Sequence, residues 1–77
     1  MEAAELARSA GNEAFSGGNW AKAWNLYSKA IVEAPRDPRA WLNRALVSLK
    51  MHKPLLAWGD STIALSLDPT SIKARMR

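Results

Sequence analysis

An all-α fold of antiparallel helix–turn–helix repeats is predicted by three features of the 77-residue sequence. Shifted by 34 positions, the chain falls on itself. Ala23 meets Ala57, Trp24 meets Trp58, Ala30 meets Ala64 and Pro35 meets Pro69; Gly11 meets Ala45, Phe15 meets Leu49, Ser28 meets Thr62 and Ile31 meets Leu65. A fixed period of this size marks stacked supersecondary units. Within each unit, apolar residues recur at intervals of three and four, which places them on one helical face. No stretch alternates apolar and polar residues as a half-buried strand would.

The first helix is expected over residues 2–16. The second is expected over 20–33, where Trp20, Ala23, Trp24, Tyr27, Ala30 and Ile31 share a face. It opens behind Gly17-Gly18-Asn19, with Asn19 as its N-cap, and stops before Pro35. Asp37-Pro38, a cap followed by proline at the first helical position, starts a third helix over 38–51 that carries Trp41, Leu42, Ala45, Leu46 and Leu49. Pro54 opens a fourth over 54–67, through Leu55, Ala57, Trp58, Ala64 and Leu67, which ends at Asp68-Pro69. Thr70 or Ser71 then caps the start of a fifth, SIKARMR. Connections this short make neighbouring helices antiparallel. The chain reads as one domain over 1–77, with a first unit at about 4–37, a second at about 38–71 and a partial third over 72–77.

The pair Gly11-Asn12 sits inside the first helix, although helix interiors disfavour both residues. Glycine costs about 1 kcal/mol relative to alanine, and asparagine competes for the backbone with its own side chain. Helix axes about 8–10 Å apart leave no room for bulk at closest approach. Gly11 and Ala45 are expected there on the first helix of each unit, and Ala23, Ala30, Ala57 and Ala64 on the second. Asn12 is then expected to face a groove. In the second unit Ser61 stands where the first has Tyr27, Gly59 lies mid-helix and Pro54 replaces Trp20, so the fourth helix is expected to be weakened on its outer side. The four tryptophans, Trp20, Trp24, Trp41 and Trp58, are placed by their spacing in the core and between helices, rather than on a stacking platform for single-stranded nucleic acid.

Composition excludes several function classes. There is no cysteine, hence no disulfide or thiolate metal site. No apolar run approaches the ~18 residues of a membrane span, and the N-terminus lacks the basic-then-apolar layout of a signal peptide; the expected location is cytoplasmic or nuclear. The net charge of +4 is local, because Lys73, Arg75 and Arg77 lie in the last five positions. That argues against a broad nucleic-acid surface and leaves room for a focused anion site. His52 is the only histidine and has no partner cysteine or histidine to hold a metal. A pairing of His52 with Ser48 or Ser61 has no supporting motif. No enzyme activity and no cofactor are expected.

A 34-residue helix–turn–helix with this pattern resembles the tetratricopeptide repeat. The resemblance rests on Gly11, Ala23, Tyr27, Ala30 and Pro35 in the first unit and on Trp41, Ala45, Ala57, Ala64 and Pro69 in the second. It implies a right-handed superhelical solenoid whose first helices line a concave face. Five polar positions on those helices, Arg8, Asn12, Asn43, Lys73 and Arg77, resemble the two-carboxylate clamp of co-chaperone tetratricopeptide domains. Arg8-Ser-Ala-Gly-Asn12 stands for that subfamily's K-x-x-x-N, with Arg for the usual Lys; Asn43-Arg44 stands for its N-R; Lys73-Ala-Arg-Met-Arg77 stands for its K-x-x-x-R. The ligand this implies is an acidic C-terminal tail ending Glu-Glu-Val-Asp, as carried by the cytosolic seventy- and ninety-kilodalton heat-shock chaperones. Cations and asparagine amides suit a terminal Asp, which presents two carboxylates.

The competing expectation is a structural or assembly role. Leu55, Trp58 and Leu65 would present an apolar patch on the last full helix, through which the chain would pack on another folded protein or on itself. The three-repeat domains that the chain resembles also lead us to expect a fragment of a longer protein.

Overall fold

Capping residues fix where two of the helices begin. The structure is a computed structural model that describes residues 2–68, in which α1 (Glu2–Ser16), α2 (Trp20–Glu33), α3 (Pro38–Lys50) and α4 (Pro54–Leu67) follow in chain order. The predicted fifth helical start, with Lys73 and Arg77, lies outside the described residues. Asn19 caps α2 by accepting the Lys22 N–H at 3.3 Å, and Asp37 caps α3 by accepting the Arg39 N–H at 3.0 Å, with Pro38 next in line. Pro54 opens α4 without a side-chain cap. All four helices stand where the sequence places them, except that α3 stops one residue early, with Met51 as its C-cap.

The two turns inside the units are built alike. Gly18 (φ 78°) and His52 (φ 59°), 34 positions apart, both adopt the left-handed conformation. Around Gly18, the Gly18 N–H bonds the Phe15 carbonyl and the Asn19 N–H the Ala14 carbonyl; around His52, the His52 N–H bonds Leu49 and the Lys53 N–H bonds Ser48. These paired bonds close a helix end on itself and satisfy its last carbonyls. His52 therefore holds a glycine's place in the second unit.

Each helix packs mainly on its neighbours in the chain: α1 on α2, α2 on α3, α3 on α4. Two clusters form the core. One joins Ala7, Ala30, Ile31 and Ala40 beneath Trp41; the other joins Ala23, Tyr27 and Val47 with Phe15, Trp20, Trp24 and Met51 around them. The predicted small residues Ala23, Ala30, Ala45, Ala57 and Ala64 are all buried. Gly11 marks the closest approach of α1 and α2: a Cβ added there would lie 2.6 Å from Cε1 of Tyr27.

One expectation is corrected. Trp58 is not a core residue; it is 70 % exposed, and with Leu55 and Leu65 it forms an open apolar strip on α4. The weakening expected at Ser61 concerns the outer side of α4; on its inner side Asp60 is buried and ion-paired to Arg44 of α3. Gly59 lies inside α4 with open space beside it. A Cβ added there would meet nothing within 4 Å, so Gly59→Ala should stabilise the chain by about 0.5–1 kcal/mol, read as a higher midpoint in urea unfolding.

Candidate functional site

The site begins at Gly11. Without a Cβ in the way, the Tyr27 ring crosses from α2 onto α1, and its hydroxyl donates to Oδ1 of Asn12 at 2.6 Å. Asn43, on α3, donates through Nδ2 to the same oxygen at 2.9 Å. The two asparagines singled out in the sequence are thus in direct contact, though 31 positions apart. With Phe15, Tyr27 and Leu46 they line a cavity of about 160 Å³, open to solvent and apolar apart from the amides. One face of the groove is therefore a pair of neutral amides over a floor of apolar side chains.

Arg8 lies one turn before Asn12 on α1, and Glu5 holds it. Its guanidinium donates to both Glu5 oxygens, at 3.1 and 3.2 Å. Arg39 at the start of α3 shares Glu5 at 3.0 Å and also forks onto Asp37, at 2.7 Å for the shorter contact. Two cations, Arg8 and Arg39, are therefore bridged by the one exposed carboxylate of Glu5. Arg39 is a cation that the sequence analysis passed over, because its only local signal, an Asp two residues earlier, reads as a cap. Of the five predicted positions, the structure joins Asn12 to Asn43 and places Arg8 beside Glu5; Lys73 and Arg77 are outside the described residues.

These contacts move two acids. The Arg8 hydrogen bond holds the Glu5 carboxyl below its usual range, and the Arg39 side-chain hydrogen bond does the same for Asp37. A carboxyl that is more acidic in the folded chain stabilises the fold fully above its unfolded pKa, and that stability is lost as pH falls through the lowered folded value. The thermal midpoint should therefore hold between about pH 7 and 5 and drop below about pH 4. Melting curves of Asp37→Asn should show a shallower acid loss.

A second constellation sits behind the groove. The guanidinium of Arg44, next to Asn43, lies 4.9 Å from the Trp24 ring centre and 5.2 Å from that of Trp41. It forks onto Asp60 of α4 at 2.8 and 2.9 Å and donates to the Ser28 hydroxyl at 3.1 Å. The ring N–H groups are tied as well: Trp24 donates to Ser48 at 3.2 Å and Trp41 to the Pro35 carbonyl at 2.8 Å. Ser48 is buried and accepts that bond, whereas His52 is exposed. The Arg44 cluster was missed in the sequence. Its one signal is that Arg44 and Asp60 are equidistant from the turn at His52, and residues so placed face each other across an antiparallel helix pair.

Two helix pairs repeating at 34 residues, with a glycine under a tyrosine ring and alanines at the helix crossings, make this chain a tetratricopeptide-repeat domain. No protein-family model matches the chain. Over 74 residues it is 40 % identical to a protein named heat shock protein sti1 homolog from Schizosaccharomyces pombe, covering 96 % of this chain and 12 % of that protein. The chain thus spans about an eighth of that relative's length. Among solved structures it is similar to the TPR2B domain of yeast Sti1 in a pHsp70 complex, at a TM-score of 0.89 and 35 % identity, over 90 % of this chain and 55 % of that one. It is also similar to the first TPR of Spaghetti (RPAP3) bound to the HSP90 peptide SRMEEVD, at a TM-score of 0.87 and 26 % identity, over 88 % of this chain and 54 % of that one. Among the described residues no helix is long and apolar enough to cross a membrane.

Proposed function

We propose that the chain is a protein-interaction module that docks acidic C-terminal tails of the Glu-Glu-Val-Asp type, as carried by the seventy- and ninety-kilodalton heat-shock chaperones, through a two-carboxylate clamp. The observation that carries this reading is the direct contact of Asn12 and Asn43 across the α1–α3 groove. Two amides on adjacent helices offer N–H donors at a fixed spacing without adding charge, which suits a chain-terminal carboxylate and an Asp side chain held together. Arg8 supplies a cation one turn away and exchanges the Glu5 carboxylate for that of the ligand. Lys73 and Arg77, which lie outside the described residues, are the remaining cations of the proposed donor set. The pHsp70 and HSP90 peptide complexes of the solved relatives support the same ligand class.

The test is a calorimetric titration of the protein with a synthetic peptide ending Glu-Glu-Val-Asp and with its C-terminally amidated twin, at physiological salt. Saturable binding of the free acid, lost on amidation, is the expected result, because only a free chain end supplies the second carboxylate. Equal binding of both peptides, or of neither, overturns the clamp. The reading that then stands is assembly through the open Leu55, Trp58 and Leu65 strip of α4.

A further inference from the structure

We infer that the Tyr27 hydroxyl is a positioning group of the peptide site: it locks the Asn12 amide in one orientation, with its NH2 as the donor offered to the ligand. This rests on the clamp reading only for the identity of the ligand; the lock itself is a property of the free protein.

The argument starts from the amide. A side-chain amide has one accepting and one donating end, and the two have nearly the same shape. Here both neighbours point donors at the same atom. The Tyr27 O–H and the Asn43 Nδ2 converge on Oδ1 of Asn12, at 2.6 and 2.9 Å. Turning the Asn12 amide alone would set its NH2 against that of Asn43, so the contact between the two amides couples their orientations. In the arrangement observed, the Tyr27 hydroxyl and Asn43 together hold Oδ1 of Asn12, and among the described residues no hydrogen bond uses its Nδ2. That NH2 is the unspent end of an exposed residue on the rim of the groove cavity.

Tyr27 itself is 2 % exposed and packs with Ala23 and Val47. A phenylalanine would fill the same place, so packing gives the hydroxyl no use. A buried hydroxyl is costly unless bonded, and the bond this one makes is to Asn12. The second unit serves as an internal control. At the places of Gly11, Asn12 and Tyr27 it has Ala45, Leu46 and Ser61. Ring passage, ring and amide are absent together there, and the device is built once, where the three occur together.

The experiment compares the parent protein with Tyr27→Phe, Asn12→Ala and the double variant. Nitrogen-15 relaxation of the Asn12 side-chain amide in the free protein should match its helix backbone and become markedly more mobile in Tyr27→Phe. The affinity for the free-acid Glu-Glu-Val-Asp peptide should fall roughly 3- to 10-fold in Tyr27→Phe. In the Asn12→Ala background, the same change should have no further effect, because the hydroxyl acts through that amide. An amide that stays equally rigid without the hydroxyl overturns the inference, as does an equal loss of affinity in the Asn12→Ala background, which would mark a merely structural role. If the parent protein binds no peptide but amide rigidity still depends on the hydroxyl, the lock is supported and the clamp reading falls.

Discussion

Arg44→Ala is expected to destabilise the chain by about 3–5 kcal/mol, because it strands Asp60 as an unpaired charge in a site where its side chain is only 9 % exposed. A domain of this size has a total stability of roughly 4–12 kcal/mol, so the variant should sit near the edge of unfolding. Asp60→Ala should cost a similar amount by stranding the guanidinium between Trp24 and Trp41. Arg44→Lys will not rescue it, since an ammonium cannot fork onto a carboxylate and lie flat on two rings at once. Joint replacement, Arg44→Met with Asp60→Leu, removes both charges together and should recover much of the loss. Urea unfolding followed by circular dichroism separates the cases. If Arg44→Ala unfolded within about 1 kcal/mol of the parent protein, the pair would be no more than a surface ion bridge.

Gly11→Ala is expected to be the second most damaging change. Two effects oppose each other at that position. Alanine favours the helix over glycine by about 1 kcal/mol. Against this, the new methyl would meet Cδ1 and Cε1 of Tyr27 at 2.7 and 2.6 Å, separations that a close-packed interior relieves only by moving a ring or a helix. Overpacking of this kind costs about 1–3 kcal/mol, and because the obstacle is a buried aromatic ring the upper end applies. Displacing the ring also pulls the hydroxyl from Asn12, so Gly11→Ala should weaken peptide binding as well as the fold. Thermal melts beside Gly59→Ala give the sharper check. The same substitution in two helices of one chain should shift the midpoint in opposite directions, and equal shifts would mean that the contact between Gly11 and Tyr27 is not the tight point of the first helix pair.

The helices were legible because their punctuation is local. Asn19, the Asp37-Pro38 pair and Pro54 act within a turn of themselves, and a sequence displays such signals directly. The small residues at the helix crossings were legible for a related reason: the 34-residue repeat states each of them twice. Asn12 and Asn43 could be matched to a site by family pattern, but their contact, and the part of Tyr27 in it, could not. That depends on a ring passing through the space a missing Cβ leaves. The Arg44–Asp60 pair escaped because its members lie on different helices and neither belongs to an apolar stripe; only counting outward from the turn at His52 brings them together. Trp58 shows the opposite failure. Its alignment with Trp24 is sound, yet Trp24 owes its burial to α3 and to the Arg44 guanidinium, and among the described residues no helix takes the place of α3 over Trp58. A side chain's exposure is decided by the next layer, which its own helix cannot report.

Packing between chain neighbours has a consequence for how the domain forms. Contacts that close short loops cost little chain entropy, so each helix pair can collapse on its own and the chain should fold fast. Speed of that kind brings a risk, since hairpins that form independently can also come apart independently, as in any one-dimensional array. The Arg44 cluster counters it. One guanidinium touches Trp24 and Ser28 on α2, Trp41 on its own helix and Asp60 on α4, so the second hairpin cannot loosen without unmaking bonds that also hold the first. Unfolding of the two hairpins is therefore expected to be cooperative, and the cluster lies one residue from Asn43, which bonds Asn12.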